Sequence, residues 1–225
     1  MSLTADPTHP RALALRSAYA RAVDRLVLLA QGLDPEGAAT PVPATPGWSA
    51  HDLLAHLAGA ATDVVSGRMD GAPGPAWTAR HVAEGSSRTT AALAAQLADA
   101  AAAVPDGVYG SASPTPVWDL IVHEADLLEA LGRPRQPEDA WRALLAHTVR
   151  HLGAVRGAEG VLVTTENRWA LGPAGAHVRL DADDYELARV VYSRRSRRQV
   201  GALTDAPGPV ESLQVFGLRD DDLPA

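Results

Sequence analysis

Two short stretches of this chain carry side chains suited to binding a metal ion. His56 lies within Asp52-Leu53-Leu54-Ala55-His56-Leu57, with Asp52 one turn before it. Further along, Asp119, His123 and Asp126 stand at i, i+4 and i+7, a spacing that puts all three on one helical face. A neutral imidazole nitrogen and a carboxylate oxygen are good ligands for zinc-type ions. A buried acid beside an imidazole calls for a positive charge between them, because desolvating it alone is costly. Asp52 or Asp126 could then hold the remaining imidazole N–H and fix its tautomer. The same spacing also suits an ordinary surface pair worth roughly 0.2–0.5 kcal/mol and a hydrogen-bonded core histidine. Spacing alone leaves these readings open.

The other histidines offer less. His147 and His151 are one turn apart beside Arg150, at the edge of a stripe formed by Trp141, Leu144, Leu145, Thr148 and Leu152, and read as a solvated rim. His9, His51, His81 and His177 have no partner close in sequence and read as ordinary surface or loop residues. The cluster Arg194-Arg195-Ser196-Arg197-Arg198, preceded by Arg189, reads either as an anion grip, since guanidinium forks match carboxylate and phosphate, or as a solvated helix end complementing the helix dipole. The second reading is favoured on sequence alone.

Amphipathic helices must position these residues. From Arg11 to Leu33, the residues Leu15, Ala18, Tyr19, Ala22, Leu26, Leu29 and Leu33 keep helical rhythm. After a proline-studded connector, Ser49 as N-cap and Asp52 in the capping-box position open a second helix, running to about Ser66. A long alanine-rich helix is expected over about 78–104, and a fourth from Pro116 to the Gly132-Arg133-Pro134 break. Short links between four such helices argue for an up-and-down bundle. A further helix spans about 137–152. Short runs of strand character then follow at 160–165, 168–171 and 176–180, the last two separated by Gly172-Pro173-Ala174-Gly175, with helical pattern returning over 183–193 and again up to Leu203. The expected fold is mainly α: a bundle domain over 1–155 and a small α+β domain over 156–225.

Composition narrows the function. The chain has 225 residues and a formal charge of −7, against a nucleic-acid footprint. All 20 of its basic residues are arginine. No apolar run is long enough to span a membrane, and Met1 to Pro10 lacks the basic and apolar regions of a secretory signal, so a cytoplasmic protein is expected. There is no cysteine, which excludes disulfides, thiolate ligands and a cysteine nucleophile. Any thiol chemistry must use a thiol from outside.

Three motifs in order resemble one family. Trp48-Ser49-Ala50-His51-Asp52-Leu53-Leu54-Ala55-His56-Leu57, the stretch Asp119 to Gly132 with its acid-x-x-x-His-x-x-Asp-Leu pattern, and Tyr185-Glu186-Leu187-Ala188-Arg189 followed by the arginine cluster are together similar to the mycothiol-dependent maleylpyruvate isomerase family, a branch of the DinB-like four-helix metalloproteins. The resemblance implies a divalent metal, zinc by its donor set, held by His56, Asp119 and His123, with mycothiol as cofactor or co-substrate. It also implies that Arg189, Arg194 or Arg195 steers the thiol cofactor or an anionic substrate. Asp119 stands where the family often has Glu, and Ser193 where it usually has Gly. The implied partners are a small-molecule thiol and an electrophile, such as maleylpyruvate, a halide or an epoxide, acting on a monomer or homodimer. The alternative is a non-catalytic DinB-like module serving dimerisation or partner binding.

Overall fold

The computed structural model describes residues 6, 8–157, 159–172 and 175–224. Of the expected 172–175 turn, Pro173 and Ala174 lie outside the described residues, as do 1–5 and 7 of the N-terminal stretch. In chain order the elements are α1 (Pro10–Gln31), α2 (Pro35–Ala38), α3 (Ala50–Ser66), α4 (Pro75–Gly85), α5 (Thr90–Ala102), α6 (Gly107–Gly110), α7 (Thr115–Ala130), α8 (Glu138–Arg156), β1 (Val161–Val163), β2 (Arg168–Ala170), β3 (His177–Arg179), α9 (Asp184–Val191), α10 (Arg197–Leu203) and α11 (Pro207–Glu211). Among the described residues, no helix is long and apolar enough to cross a membrane.

The chain divides into two compact units, Met1–Gln136 and Pro137–Ala225. The division expected after residue 155 would leave α8 with the bundle, but α8 packs on α9 and β2. Gly153 lets the helix press so close that a Cβ there would sit 2.1 Å from the Leu171 carbonyl oxygen.

In the first unit α1, α3, α5 and α7 form a four-helix bundle whose ring of contacts runs α1–α5–α3–α7. α3 is held at both ends by local chemistry. The Ser49 backbone N–H donates to Asp52 Oδ2 at 2.9 Å, the Asp52 N–H donates to Ser49 Oγ, and Gly67 closes the helix in the left-handed conformation at φ 74°. Its middle, from Leu53 to Ala61, is buried throughout, as expected of a helix apolar on every side. The single helix expected over 78–104 is instead two, α4 and α5. Gly85 packs against α3 where a Cβ would meet Ala55 Cβ at 2.4 Å, and the Thr89 side chain caps a new helix by accepting from the Ala92 N–H. The break frees α4 to lie across α3, which places His81.

The second unit has a three-stranded sheet of order β2-β1-β3, with β1 antiparallel to β2 (Leu162 opposite Trp169) and parallel to β3 (Leu162 opposite Val178). The fully buried Asp184 ties sheet to helices by accepting from Thr164 Oγ1 at 2.5 Å, Asn167 Nδ2 at 2.6 Å and Trp169 Nε1 at 2.8 Å.

α1 and α7 are joined by an ion pair. Arg25 Nε and Nη2 fork onto Glu124 at 2.5 and 2.9 Å, and Gln136 Nε2 donates to the same carboxylate. Glu124 is buried whereas Arg25 reaches partly into solvent. Removing the arginine strands the acid, so Arg25→Ala is expected to lower stability by on the order of 3 kcal/mol, read as a reduced denaturation midpoint in urea. An unchanged midpoint would mean that the pair contributes nothing.

Candidate metal centre

α3 and α7 are neighbours in the ring, and their facing sides bring His56, Asp119 and His123 together. Ligand atoms of the three lie within 4.8 Å of one another, the one such group of three or more acids and histidines among the described residues. Asp119 Oδ1 is 3.3 Å from His56 Nε2 and 3.4 Å from His123 Nε2. These separations exceed the 2.7–2.9 Å, roughly, of a good charge-assisted hydrogen bond. They match the spacing of about 3.4 Å between ligand atoms each about 2.1 Å from one tetrahedral ion. The donor set and its spacing therefore fit a zinc-type ion. The Asp119 carboxylate reaches toward both histidines.

The far side of each imidazole is also tied. His123 Nδ1 lies 2.9 Å from Asp126 Oδ2, so Asp126 fills the orienting role. Asp52 does not, because its carboxylate is taken up by the Ser49 cap. His56 Nδ1 lies 3.2 Å from Nδ1 of His81, whose Nε2 lies 2.9 Å from Asp63 Oδ2. Asp63 also accepts from Arg68 Nε at 2.9 Å and from Arg80. His56, His81 and Asp63 are all buried.

This chain of contacts allows one set of tautomers when His56 Nε2 serves as a ligand. His56 then carries its hydrogen on Nδ1 and donates it to His81 Nδ1. His81 must carry its own on Nε2 and donate it to the Asp63 carboxylate. His81 was expected to be an ordinary surface or loop histidine. It is instead a buried link between His56 and the Asp63 carboxylate, and Trp77 packs edge-on against it at 4.2 Å. Room for its ring comes from Gly59, where a Cβ would fall 2.5 Å from His81 Cδ2.

Electrostatics follow the contacts. Burial pushes the Asp119 carboxyl up, but the charge and hydrogen bonds of His56 and His123 outweigh it and hold the group below the usual carboxylate range. Burial lowers His123, yet hydrogen bonds to Asp119 and Asp126 raise it overall. Burial lowers His81 more than its bond to Asp63 raises it, which suits a neutral relay. Burial would raise Asp63, but hydrogen bonds from Arg80, His81 and Arg68 bring it down to about 2.

A cavity of about 150 Å³ opens beside Asp119, lined by α1, α3, the α3–α4 connection, α4 and the start of α7. Tyr19 lines it, its phenol pushed up chiefly by burial and further by Tyr109 and Asp119.

The remaining candidates lie elsewhere. The His147 and His151 rings stack 6.2 Å apart and, among the described residues, belong to no group of three acids and histidines. His147 is buried, not on a solvated rim. In the second unit, Arg189, Arg194 and Arg195 are also buried, against the expectation of a solvated helix end, whereas Arg197 and Arg198 are exposed. Arg195 forks onto Glu186, with Nη2 to Oε2 at 2.8 Å, and Arg194 Nη1 donates to the Tyr192 carbonyl at 2.9 Å and stacks over Phe216. Ser193 makes a left-handed turn at φ 59°.

Two outcomes follow. At the position of His81, asparagine can present an acceptor where Nδ1 was, whereas glutamine reproduces the Nε2 end. His81→Asn should therefore retain metal affinity better than His81→Gln, which should lose about tenfold in competition against a chelator. Equal affinities would dissolve the tautomer assignment. Asp63, held near 2 when folded against an ordinary 3.8, contributes stability that is fully present above about pH 4 and is lost as pH falls toward 2. Acid titration of stability should flatten over that window in Asp63→Asn, and an identical profile would count against the network.

Comparison with known proteins shows what part of the chain is similar to. Residues 19–122 match the model of the mycothiol maleylpyruvate isomerase N-terminal domain, a stretch that contains His56 and Asp119 and ends one residue before His123. A solved mycothiol-dependent maleylpyruvate isomerase is 19% identical over 82% of this chain and 87% of its own, with a TM-score of 0.47. A histidine-substituted mutant of the mycothiol-dependent maleylpyruvate isomerase is 18% identical over 81% and 86%, with a TM-score of 0.43. No curated protein matches. Residues 19–122 are thus similar to the mycothiol maleylpyruvate isomerase N-terminal domain, the family that the helix motifs resemble.

Proposed function

We propose that the chain is a metal-dependent isomerase or S-transferase that uses mycothiol against a small electrophile, in the manner of a maleylpyruvate isomerase. The observation that carries the reading is the convergence of His56, Asp119 and His123, with Asp119 also lining a cavity. The family of the N-terminal domain supports the thiol, and a chain without cysteine must take its sulfur from outside. The cavity also favours catalysis over a purely structural bundle, which would have no use for an opening beside its ligands.

Zinc suits two imidazoles and a carboxylate, and we place the protein in the cytoplasm, where thiols are kept reduced. His56, Asp119 and His123 would hold a divalent ion, which would supply a lowered pKa for an incoming thiol, from about 8.5 for a free thiol. The chain's own residues do the rest. His56 and His123 offer Nε2 to the ion because His81 and Asp126 hold the opposite ring nitrogens. Asp119 remains ionised at neutral pH and offsets part of the ion's charge. The walls contributed by Leu57, Trp77 and Leu120 exclude water from the reacting thiol and carbon.

The expected result is one metal ion per chain in protein purified without a tag, and loss of that ion in both His56→Ala and His123→Ala, together with loss of mycothiol-dependent turnover. Metal content unchanged by both substitutions would place the site elsewhere.

A further inference from the structure

The cavity beside Asp119 indicates which electrophiles it would admit. Its walls are mostly apolar, Leu57, Met69, Trp77 and Leu120 among them, joined by two hydroxyls, Tyr19 and Thr115. Asp119 is the one ionisable carboxylate in the lining, and no arginine or histidine is among the residues that form it. Arg68, just after α3, and Arg80, on α4, both bond Asp63 and Glu84.

Charge balance follows. A divalent ion, the Asp119 carboxylate and a bound thiolate sum to no net charge. Among the described residues that line this cavity, a substrate carboxylate would meet no cationic side chain, and it would give up its hydration for two hydroxyls. That exchange is unfavourable for an isolated charge. An uncharged group of modest size instead buries apolar surface at about 25 cal/mol per Å².

We infer that the cavity selects a small uncharged electrophile, in preference to a dicarboxylate such as maleylpyruvate. The inference rests on the thiol chemistry proposed above and narrows its substrate. In the simplest case the thiol sulfur forms a bond to a carbon bearing a halide. The halide leaves with the bonding electrons, and the thiol proton passes to solvent. Having no cysteine, the chain offers such a reagent no thiol of its own to alkylate.

Two arms test this and separate it from the parent reading. In the first, the metal-loaded protein and mycothiol are given iodoacetamide or iodoacetate, which share a leaving group and differ in charge, and each rate is divided by that of free mycothiol. The expected result is at least a tenfold larger enhancement for iodoacetamide. Met69→Arg, which adds a cation at a half-exposed point of the wall, should narrow that ratio. A larger enhancement for iodoacetate overturns the inference. The second arm needs no turnover: binding of unreactive diethyl succinate and of succinate is followed by Trp77 fluorescence, with Trp77→Phe as control. Tighter binding of the diester supports the inference even if neither iodo compound reacts, an outcome that would defeat the thiol chemistry alone. Tighter binding of succinate, or binding of neither at millimolar concentration, overturns it.

Discussion

The arrangement depends on one electrostatic constraint. A carboxylate placed between two imidazoles inside a helical bundle must be matched by positive charge and by fixed donors. Asp119 lies 3.3 and 3.4 Å from the two Nε2 atoms, and each imidazole is tied at its other nitrogen, one to Asp126 and one to His81. Both rings are thus oriented before any ion arrives, and neither can turn without leaving a buried polar atom unsatisfied. The bundle contributes the adjacency of α3 and α7, the cap at Ser49 sets the start of α3 and hence the position of His56, and the break at Gly85 allows α4 to bring His81 behind it.

Much of this was legible from residue spacing. The positions of Asp119, His123 and Asp126 on one face follow from helical periodicity, and the Ser49–Asp52 box marks where α3 begins. The three strands and the helices after them appear close to where alternation and turn residues put them. Local pattern informs these features because each depends on contacts within a few residues.

What escaped the sequence depends on contacts distant along the chain. The partners of His81 are 18 and 25 residues away, and an uninterrupted helix through 78–104 hid the turn that delivers it. A signal was present in Gly59, a glycine in the middle of an otherwise alanine- and leucine-rich helix, where it costs about 1 kcal/mol relative to alanine and makes sense only if something presses against it. The arginine cluster misled for a related reason. Four basic residues in five positions suggest solvent, yet Arg195 turns inward onto Glu186, nine residues earlier, and Ser193 adopts the backbone conformation that permits the turn. The helix α8 likewise continues the bundle's rhythm in sequence, but its apolar stripe is buried against α9 and β2.

The most direct test of a metal site that accepts an external sulfur is optical. Cobalt(II) substituted for the native ion reports its ligands through its visible spectrum, and a chain with no cysteine cannot supply a sulfur ligand itself. The account predicts a four- or five-coordinate nitrogen- and oxygen-ligated spectrum for the cobalt protein, and a new sulfur-to-cobalt charge-transfer band when mycothiol is added. A spectrum that mycothiol leaves unchanged, in a protein that has bound one cobalt ion, would contradict it.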